Sequence, residues 1–253
     1  MPFALTQVRQ IEALGFRAWP ASSVHYDGSW SIRITASHPS KRLNSVNPLD
    51  PGDTDNIEER VAAASERFRA SDRTPIFRLS PLAPQKLESY LEKSGWERFD
   101  ESLVMVADLA DIDLSDAQDQ QPQGDIGRFI DASLQVQGET PEMKPGLLDV
   151  INAIRPAKGL FAVDEAGIPV STAICVCDGV MAGLFSIGTA QDQRRRGLGR
   201  AIVKSALKWA VAQGARKAWL QVEADNNGAI ALYRSMGFSE AYRYAYWQVV
   251  EHD

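Results

Sequence analysis

Two glycines at the junction between an apolar strand and an amphipathic helix constrain this chain more than any other feature. Leu184–Thr189 has the composition of a buried strand, and a helix is predicted from about Leu198 to Gln213. Gly197 and Gly199 allow a tight turn between them and leave the backbone amides uncovered by side chains. Helices alternate with strands along the neighbouring sequence, so we expect an α/β or α+β fold.

The same junction has the chemistry of an anion site. The first turn of a helix presents unpaired N–H groups and a partial positive charge, which together favour a diphosphate. Four arginines add charge around it: Arg194, Arg195, Arg196 and Arg200. A P-loop would need a lysine after Gly199, and a dinucleotide fingerprint would need a small residue in place of Ile202. A solvated arginine run, or a basic patch for nucleic acid, is the alternative interpretation.

Size and composition indicate an ordinary globular protein. The 253 residues favour two domains, and 44% hydrophobic residues suffice for real cores. The net charge of -6 argues against a nucleic-acid or membrane-coating protein and agrees with a cationic, amine-bearing acceptor. The sequence has neither a signal peptide nor a long apolar stretch, so a cytoplasmic location is expected. Cys175 and Cys177 alternate in one predicted strand and are expected to be reduced, and no metal site is predicted.

The chain divides at a polar, acidic stretch. Residues 109–125 contain no aromatic side chain and few apolar ones, so we interpret them as a linker between domains at 1–108 and 126–253. A faint repeat relates the two sides, because Leu87–Trp96 and Ala229–Phe238 are both helices that end in glycine and an aromatic residue. Two unrelated helix–strand units would give the same pattern.

The patterns predict the following elements. Before the linker they indicate strands at Trp30–Thr35, Ile76–Leu79 and Leu103–Val106, and helices at Asn56–Ala70, capped by Asp53 or Thr54, and at Pro84–Lys93. After the linker they indicate helices at Ile126–Val136, Gly146–Ile154, Leu198–Gln213 and Gly228–Met236. The strands predicted there are Gly159–Asp164, Pro169–Cys177, Met181–Thr189, Ala218–Glu223 and Tyr242–Val250.

Two ordered motifs carry a family resemblance. Arg194-x-x-Gly197-x-Gly199 resembles the Gln/Arg-x-x-Gly-x-Gly/Ala signature of the GCN5-related N-acetyltransferases, the GNAT superfamily. Downstream, Asn227 to Phe238 resembles the superfamily's Asn-x-x-Ala-x-x-Leu-Tyr-x-x-x-Gly-Phe segment. The resemblance covers roughly Ala182 to Trp247. It implies a GNAT fold, with a mixed central sheet flanked by helices. The first 108 residues would be a degenerate GNAT-like or accessory domain in tandem, without cofactor binding.

The resemblance also implies acetyl-CoA as cosubstrate and assigns residues to it. Backbone groups near Ile187 and Thr189 would pair with the pantetheine arm, and Asn226 would lie beside it. The amides from Arg195 to Arg200 would hold the pyrophosphate. The remaining cofactor-binding residues are Arg194, Arg195, Arg196, Gly197, Gly199, Arg200 and Tyr233.

Two catalytic residues are predicted. Tyr233 would protonate the departing thiolate, since a phenol can donate a proton there, although a core aromatic is the alternative interpretation. The general base is less defined, because Gln221 occupies a position where ribosomal-protein alanine acetylases carry glutamate. Glu223 lies two residues further on the same strand face and could act directly or through water.

The acceptor is predicted only by class. The acidic loop Gln135–Glu142 could meet an amine, and Tyr242, Tyr244 and Tyr246 share one strand face as sheet packing or as a groove wall. An N-acetyltransferase acting on a primary amine of a small molecule, peptide or protein is the leading hypothesis. A non-catalytic acyl-CoA-binding or sensor protein is the alternative, and a nucleic-acid-binding protein is remote. A homodimer is compatible with the sequence.

Overall fold

The computed structural model describes residues 4–249 and divides into two compact units. Among these residues the first unit comprises 4–104, 223–225 and 240–249, and the second comprises 105–222 and 226–239. The strand that closes the chain is therefore in contact with the first unit. The predicted boundaries at residues 108 and 126 divide the chain into consecutive segments, whereas each compact unit contains segments that are separated in sequence. The predicted domains stay a prediction. The end of the predicted strand at Val250 lies outside the described residues.

The first unit contains three helices around a mixed sheet. Its helices are α1 (Leu5–Ala18), α2 (Ile57–Arg69) and α3 (Gln85–Lys93). Its strands are β1 (Ser23–Asp27), β2 (Trp30–Ile34), β3 (Ser45–Pro48), β4 (Phe77–Leu79), most of β5 (Trp96–Asp108) and most of β10 (Ser239–Val249). From β1 to β3 the pairs are antiparallel, β3 and β4 are parallel, and β4 and β10 are antiparallel.

One face of this sheet is an apolar core. Trp30, Val46, Phe77 and Trp247 point to the same side and pack with residues of α2 and α3. The ring of Phe77 contacts Trp30 edge-on, with 5.7 Å between centroids. Burial of this face supplies the main stabilisation of the unit, since each large apolar side chain removed from water contributes about 1.5–3 kcal/mol.

The second unit contains four helices and four strands, which pair in both antiparallel and parallel fashion. Its helices are α4 (Ile126–Gln137), α5 (Lys144–Ala153), α6 (Leu198–Ala212) and α7 (Asn227–Ser235). Its strands are β6 (Ala157–Glu165), β7 (Ile168–Asp178), β8 (Met181–Thr189) and β9 (Lys217–Glu223), except for Glu223 itself. β6, β7 and β8 pair antiparallel, and β8 and β9 pair parallel. α4 and α6 both pack against β7, where Cys175 and Cys177 are buried and free, as predicted.

One order of elements occurs twice along the chain. β3, α2, β4, α3 and β5 follow one another, and so do β8, α6, β9, α7 and β10. Each order starts with two parallel strands joined by a helix, and Gly95 and Gly237 end the later helices with φ of 78° and 94°. This order supports the repeat that the sequence suggested.

The predicted linker packs on the second unit. Leu109, Ile112 and Ala117 are buried, and the amide of Gln123 donates to the carbonyl of Leu160 at 2.7 Å. The stretch contains few apolar residues, so its sequence does not indicate that three of them are buried. None of the helices described between residues 4 and 249 is long and apolar enough to cross a bilayer.

Two details of the first unit differ from the sequence predictions. Asp53 and Thr54 do not cap α2; Asn56 precedes the helix and makes no side-chain cap. Asp53 instead accepts hydrogen bonds from Ser29 and Arg60, which hold the pKa of its carboxyl at about 2. α1, β1 and β3 were not predicted.

Candidate active site

The parallel strands β8 and β9 separate part-way along their length. They pair from Met181 opposite Lys217 to Leu184 opposite Leu220. β8 then continues to Thr189, and no described residue pairs with it on that side. A strand edge that is opened in this way presents backbone N–H and C=O groups to a ligand. Ile187 and Thr189, which are predicted to bind the pantetheine arm, lie on this unpaired part of β8.

A β-bulge lies at the point of separation. Ile174 pairs with Phe185 and Thr172 with Gly188, so Ser186 and Ile187 together face the single residue Ala173. Ser186 adopts a φ of 46°, which is uncommon for a residue with a side chain. Bulges bend a strand and are frequent beside active sites. The sequence carries no signal for this one, because a serine in an apolar strand is unremarkable.

The turn from β8 into α6 presents a run of open amides. Within residues 4–249, no backbone N–H from Gly197 through Arg200 donates a hydrogen bond, and the first helical bond runs from Ala201 to the carbonyl of Gly197 at 3.0 Å. Arg195 and Gly197 have φ of 67° and 83°, so the chain turns through left-handed conformations before the helix. Open amides at a helix N-terminus are the geometry that binds phosphate groups.

The four arginines of this turn have different surroundings. Arg196 forms a two-pronged ion pair with Glu165, at 2.8 and 3.1 Å, so its charge is already partly neutralised. The Nε of Arg194 donates to the carbonyl of Thr189 at 3.4 Å. Arg194 and Arg195 are exposed, whereas Arg200 is half-buried. Sequence reasoning did not identify Glu165, the last residue of β6, as part of this site.

Gly199 joins three elements. A Cβ atom at this position would lie 3.3 Å from the hydroxyl of Thr189 and 3.6 Å from a methyl group of Leu232. The end of β8, the start of α6 and the helix α7 therefore meet here. Arg200 donates to the hydroxyl of Ser235 at 2.6 Å, which ties the first turn of α6 to the last turn of α7. Sequence reasoning missed Ser235 and Leu232 as parts of this junction.

Tyr233 lies on α7, next to that junction in sequence. The residue is 6% exposed and its ring packs edge-on to Phe238, with centroids 6.0 Å apart. Burial raises the pKa of the phenol to about 12, so the hydroxyl keeps its proton across the physiological range. Among the described residues, none forms a hydrogen bond with this hydroxyl. Tyr233 is thus a core aromatic whose polar end is left available.

Asn226 and Glu223 lie where β9 ends. The side-chain oxygen of Asn226 accepts from the amide of Ala229 at 3.1 Å and caps α7, while its NH₂ group donates to no described residue. Glu223 is the last residue of β9 and is exposed. It is grouped by its contacts with the first unit.

Comparison with known proteins identifies the family. Residues 5–247 match the family described as "Probable histone acetyltransferase Rv0428c C-terminal". The chain belongs to this family. It is a GNAT-type acetyltransferase, and both the predicted superfamily and the predicted fold are confirmed.

Similar proteins agree with this assignment. The chain is 29% identical over 243 residues to the uncharacterized N-acetyltransferase YobR of Bacillus subtilis, covering 93% of this chain and 96% of YobR. Its fold is similar to a GCN5-related N-acetyltransferase from Kribbella flavida, with a TM-score of 0.67, 19% identity and coverage of 100% and 97%. It is also similar to a tandem GNAT protein from the clavulanic acid biosynthesis pathway, with a TM-score of 0.62, 14% identity and coverage of 96% and 89%.

Two further predicted features of this GNAT protein are the acidic loop, whose first residue Gln135 lines one pocket with Gln191 and Gln193, and the row of tyrosines. In the acidic loop, partial burial raises the pKa of Glu139, and a hydrogen bond from Thr140 lowers the pKa of Glu142. Tyr242, Tyr244 and Tyr246 are buried in the first unit. The hydroxyl of Tyr242 donates to Glu12 at 2.7 Å, which favours the packing interpretation. Across the described part of the chain, no three His, Cys, Asp or Glu side chains are grouped to hold a metal ion.

Proposed function

We propose that this enzyme transfers the acetyl group of acetyl-CoA to a primary amine of a small molecule, peptide or protein. The observation that carries the proposal is the run of open amides from Gly197 to Arg200 beside the unpaired edge of β8. A diphosphate attached to an extended, amide-bearing arm complements both features. Acetyl-CoA has this composition, and it supplies an activated thioester.

Different groups of the chain are proposed to bind different parts of acetyl-CoA. The amides from Arg195 to Arg200 are proposed to bind the pyrophosphate, assisted by the exposed charge of Arg194. The backbone of β8 at Ile187 and Thr189 is proposed to bind the pantetheine amides as an added strand would. The free NH₂ group of Asn226 would donate to the same arm.

Tyr233 is proposed to be the acid that protonates the thiolate. A general acid must hold its proton at the working pH, and a pKa of about 12 ensures this. The available hydroxyl is consistent with the role, since a donor that is already committed to a neighbour would have to break that bond first.

The attacking amine must lose a proton, because an alkylamine is mostly protonated at pH 7. Glu223 is proposed as the base, directly or through water, since it is an exposed carboxylate at the end of β9. Gln221 cannot accept a proton in this way. A protein that binds acyl-CoA without turnover is the competing hypothesis, and it would make Glu223 dispensable.

The test pairs two glycines at opposite ends of α6. Gly197 and Gly214 have φ of 83° and 92°, and neither has an atom within 4 Å of the position that a Cβ would take. Gly197→Ala and Gly214→Ala should therefore cost similar stability, roughly 1–2 kcal/mol each, from the same backbone strain. Only Gly197→Ala should weaken acetyl-CoA binding, by at least about tenfold, because only that end presents the amides.

Two measurements complete the test. Titration calorimetry gives the acetyl-CoA affinity of each variant, and a thiol reagent follows CoA release in the presence of a panel of amines. Equal affinities for the two variants would contradict the assignment of the amide run. Tight binding by the unmodified enzyme without CoA release for any amine would favour the non-catalytic alternative.

A further inference from the structure

The first unit buries a polar sheet face opposite its apolar core. Ser31 and Arg33 on β2, Asn47 on β3, Arg78 on β4 and Tyr246 on β10 point to this side, and each is at most 3% exposed. Interior sheet faces are normally apolar, because a buried polar atom without a partner costs free energy. A face of this composition therefore needs a specific complement.

Strand register places four of these side chains in one row. Ser31 pairs with Asn47, and Tyr246 pairs with Arg78. Val46 lies beside Phe77 in the parallel pair of β3 and β4, so the next residues along, Asn47 and Arg78, are also neighbours. Adjacent strands are about 4.8 Å apart, so the row runs across four strands.

The charges on this face do not balance. Glu12 of α1 accepts from Arg78 at 2.5 and 3.0 Å and from Tyr242 at 2.7 Å, so it is fully used. Arg33 donates to the carbonyl of Trp19 at 2.5 Å and lies over the ring of Phe16, but no carboxylate among residues 4–249 pairs with it. Two guanidinium groups thus share one carboxylate.

The charges and the unpartnered polar atoms of this face both indicate that a negatively charged acceptor would stabilise it. Burial, and next the charge of Arg78, lower the pKa of Arg33 to about 10, so it stays charged at pH 7 beside another cation. The Nε–H groups of Arg33 and Arg78 and the hydroxyl of Ser31 are buried without a hydrogen-bond partner. The carbonyl oxygen of Asn47 is likewise unpartnered. Three orphaned donors and one excess positive charge call for an acceptor that carries a negative charge.

We propose that this face binds one small monovalent anion between Arg33 and Arg78. A halide ion or a small carboxylate would accept from the two Nε–H groups and reduce the net charge of the cluster from +1 to zero. A dianion would reverse the imbalance instead of removing it.

Anomalous diffraction from crystals of the full chain grown in sodium bromide tests the site directly. A bromide peak within hydrogen-bond distance of the Nε atoms of Arg33 and Arg78 is expected. Water molecules alone at this position would overturn the proposal, because water satisfies the donors without supplying charge.

Thermal unfolding in solution gives an independent readout. At equal ionic strength, the unmodified protein should melt a few degrees higher in sodium bromide than in sodium gluconate, whose anion is too large for a buried site. Arg33→Met should abolish this difference, because the excess charge is removed. A bromide effect that persists in Arg33→Met at full size would overturn the proposal.

The matched control is Arg73→Met. Arg73 belongs to the same unit, but its guanidinium donates only to backbone carbonyls, at Thr35, Ala36 and His38. This variant should lose stability equally in both salts and keep the bromide effect. If both arginine variants lost the effect together, the effect would report general destabilisation and the proposed site would be excluded.

Discussion

At the scale of the residue, the ring and the hydroxyl of Tyr233 have different roles. The ring is core material beside Phe238, and only the oxygen is left for proton transfer. Tyr233→Phe should therefore fold normally and bind acetyl-CoA as the parent does. Its kcat should fall by about 10²-fold or more, which is the usual contribution of a general acid.

The pH dependence sharpens that prediction. A pKa raised to about 12 means that Tyr233 stays protonated, so deprotonation of this residue should not reduce the kcat of the unmodified enzyme below about pH 10. Steady-state kinetics from pH 6 to 10 measure this, with Tyr90→Phe on α3 as the control. An unchanged kcat for Tyr233→Phe over the whole range would exclude the acid role.

The proposed base makes a second prediction at this scale. Without a carboxylate at position 223, turnover would depend on amine that has lost its proton in solution. Glu223→Gln should lower the rate near pH 7 by about tenfold or more, with the loss shrinking toward pH 10 as the amine deprotonates itself. Asp225→Asn, an exposed carboxylate two residues away, is the control. A rate equal to that of the control at every pH would rule out Glu223.

At the scale of the element, the acidic stretch after β5 is fastened to α6. Lys204 is 11% exposed at its side chain and pairs with Asp116 at 2.5 Å, whereas Lys208 pairs with the highly exposed Asp119 at 3.4 Å. Asp116→Asn strands a mostly buried ammonium, and it should lower the free energy of unfolding by roughly 1 kcal/mol. Asp119→Asn should change it by much less.

Urea unfolding of these two variants measures how much each ion pair contributes to the free energy of unfolding. Equal midpoints for both would show that the segment is held by its apolar anchors alone, Leu109, Ile112 and Ala117. A selective effect of Asp116→Asn would show that an acidic side chain attaches residues 109–125 to α6. The same acidic composition is the reason that this stretch resembles a free linker.

Elements with regular periodicity could be predicted, and irregular ones could not. β8 was predicted over its full length, and α6 and α7 to within one residue at each end, because their apolar spacing is uninterrupted and glycine marks their ends. α1 was missed because the buried Glu12 breaks its apolar stripe. β1 is mostly exposed, and β3 is short and carries the buried polar Ser45 and Asn47, so neither shows apolar alternation.

The candidate site was predictable to the same extent. Motif residues indicate the turn that carries the open amides, the strand β8 before it and the helix of Tyr233. The bulge at Ser186, the pairing of Arg196 with Glu165 and the tie from Arg200 to Ser235 depend on tertiary contacts, which local sequence does not encode. The acceptor surface is unspecified for the same reason.

At the scale of the whole molecule, the repeated order of elements raises the question of how many donors one chain binds. In the first unit, the turn between β3 and α2 corresponds to the turn that presents the amide run. It carries Asp50, Asp53 and Asp55, and α2 then begins with Glu58 and Glu59. Carboxylates at this place repel phosphate groups, so we expect one acetyl-CoA per chain.

Titration calorimetry measures this number, together with Gly197→Ala as a reference. The unmodified chain should give a stoichiometry of one, and the variant should show no second, unaffected class of sites. A stoichiometry of two, or a residual site that Gly197→Ala leaves intact, would show that the first unit has kept a donor site of its own.

The pairing of β4 with β10 has a consequence for synthesis. Phe77, Arg78 and Leu79 take their partners from residues 245–247, which are synthesised long after β4. While a ribosome is still translating, the edge of β4 is therefore unprotected, and Trp247 is absent from the apolar core that it completes. The first unit to be synthesised is consequently the last to be finished. A nascent chain that stalls before this strand would expose a sheet edge of the kind that aggregates and that chaperones bind.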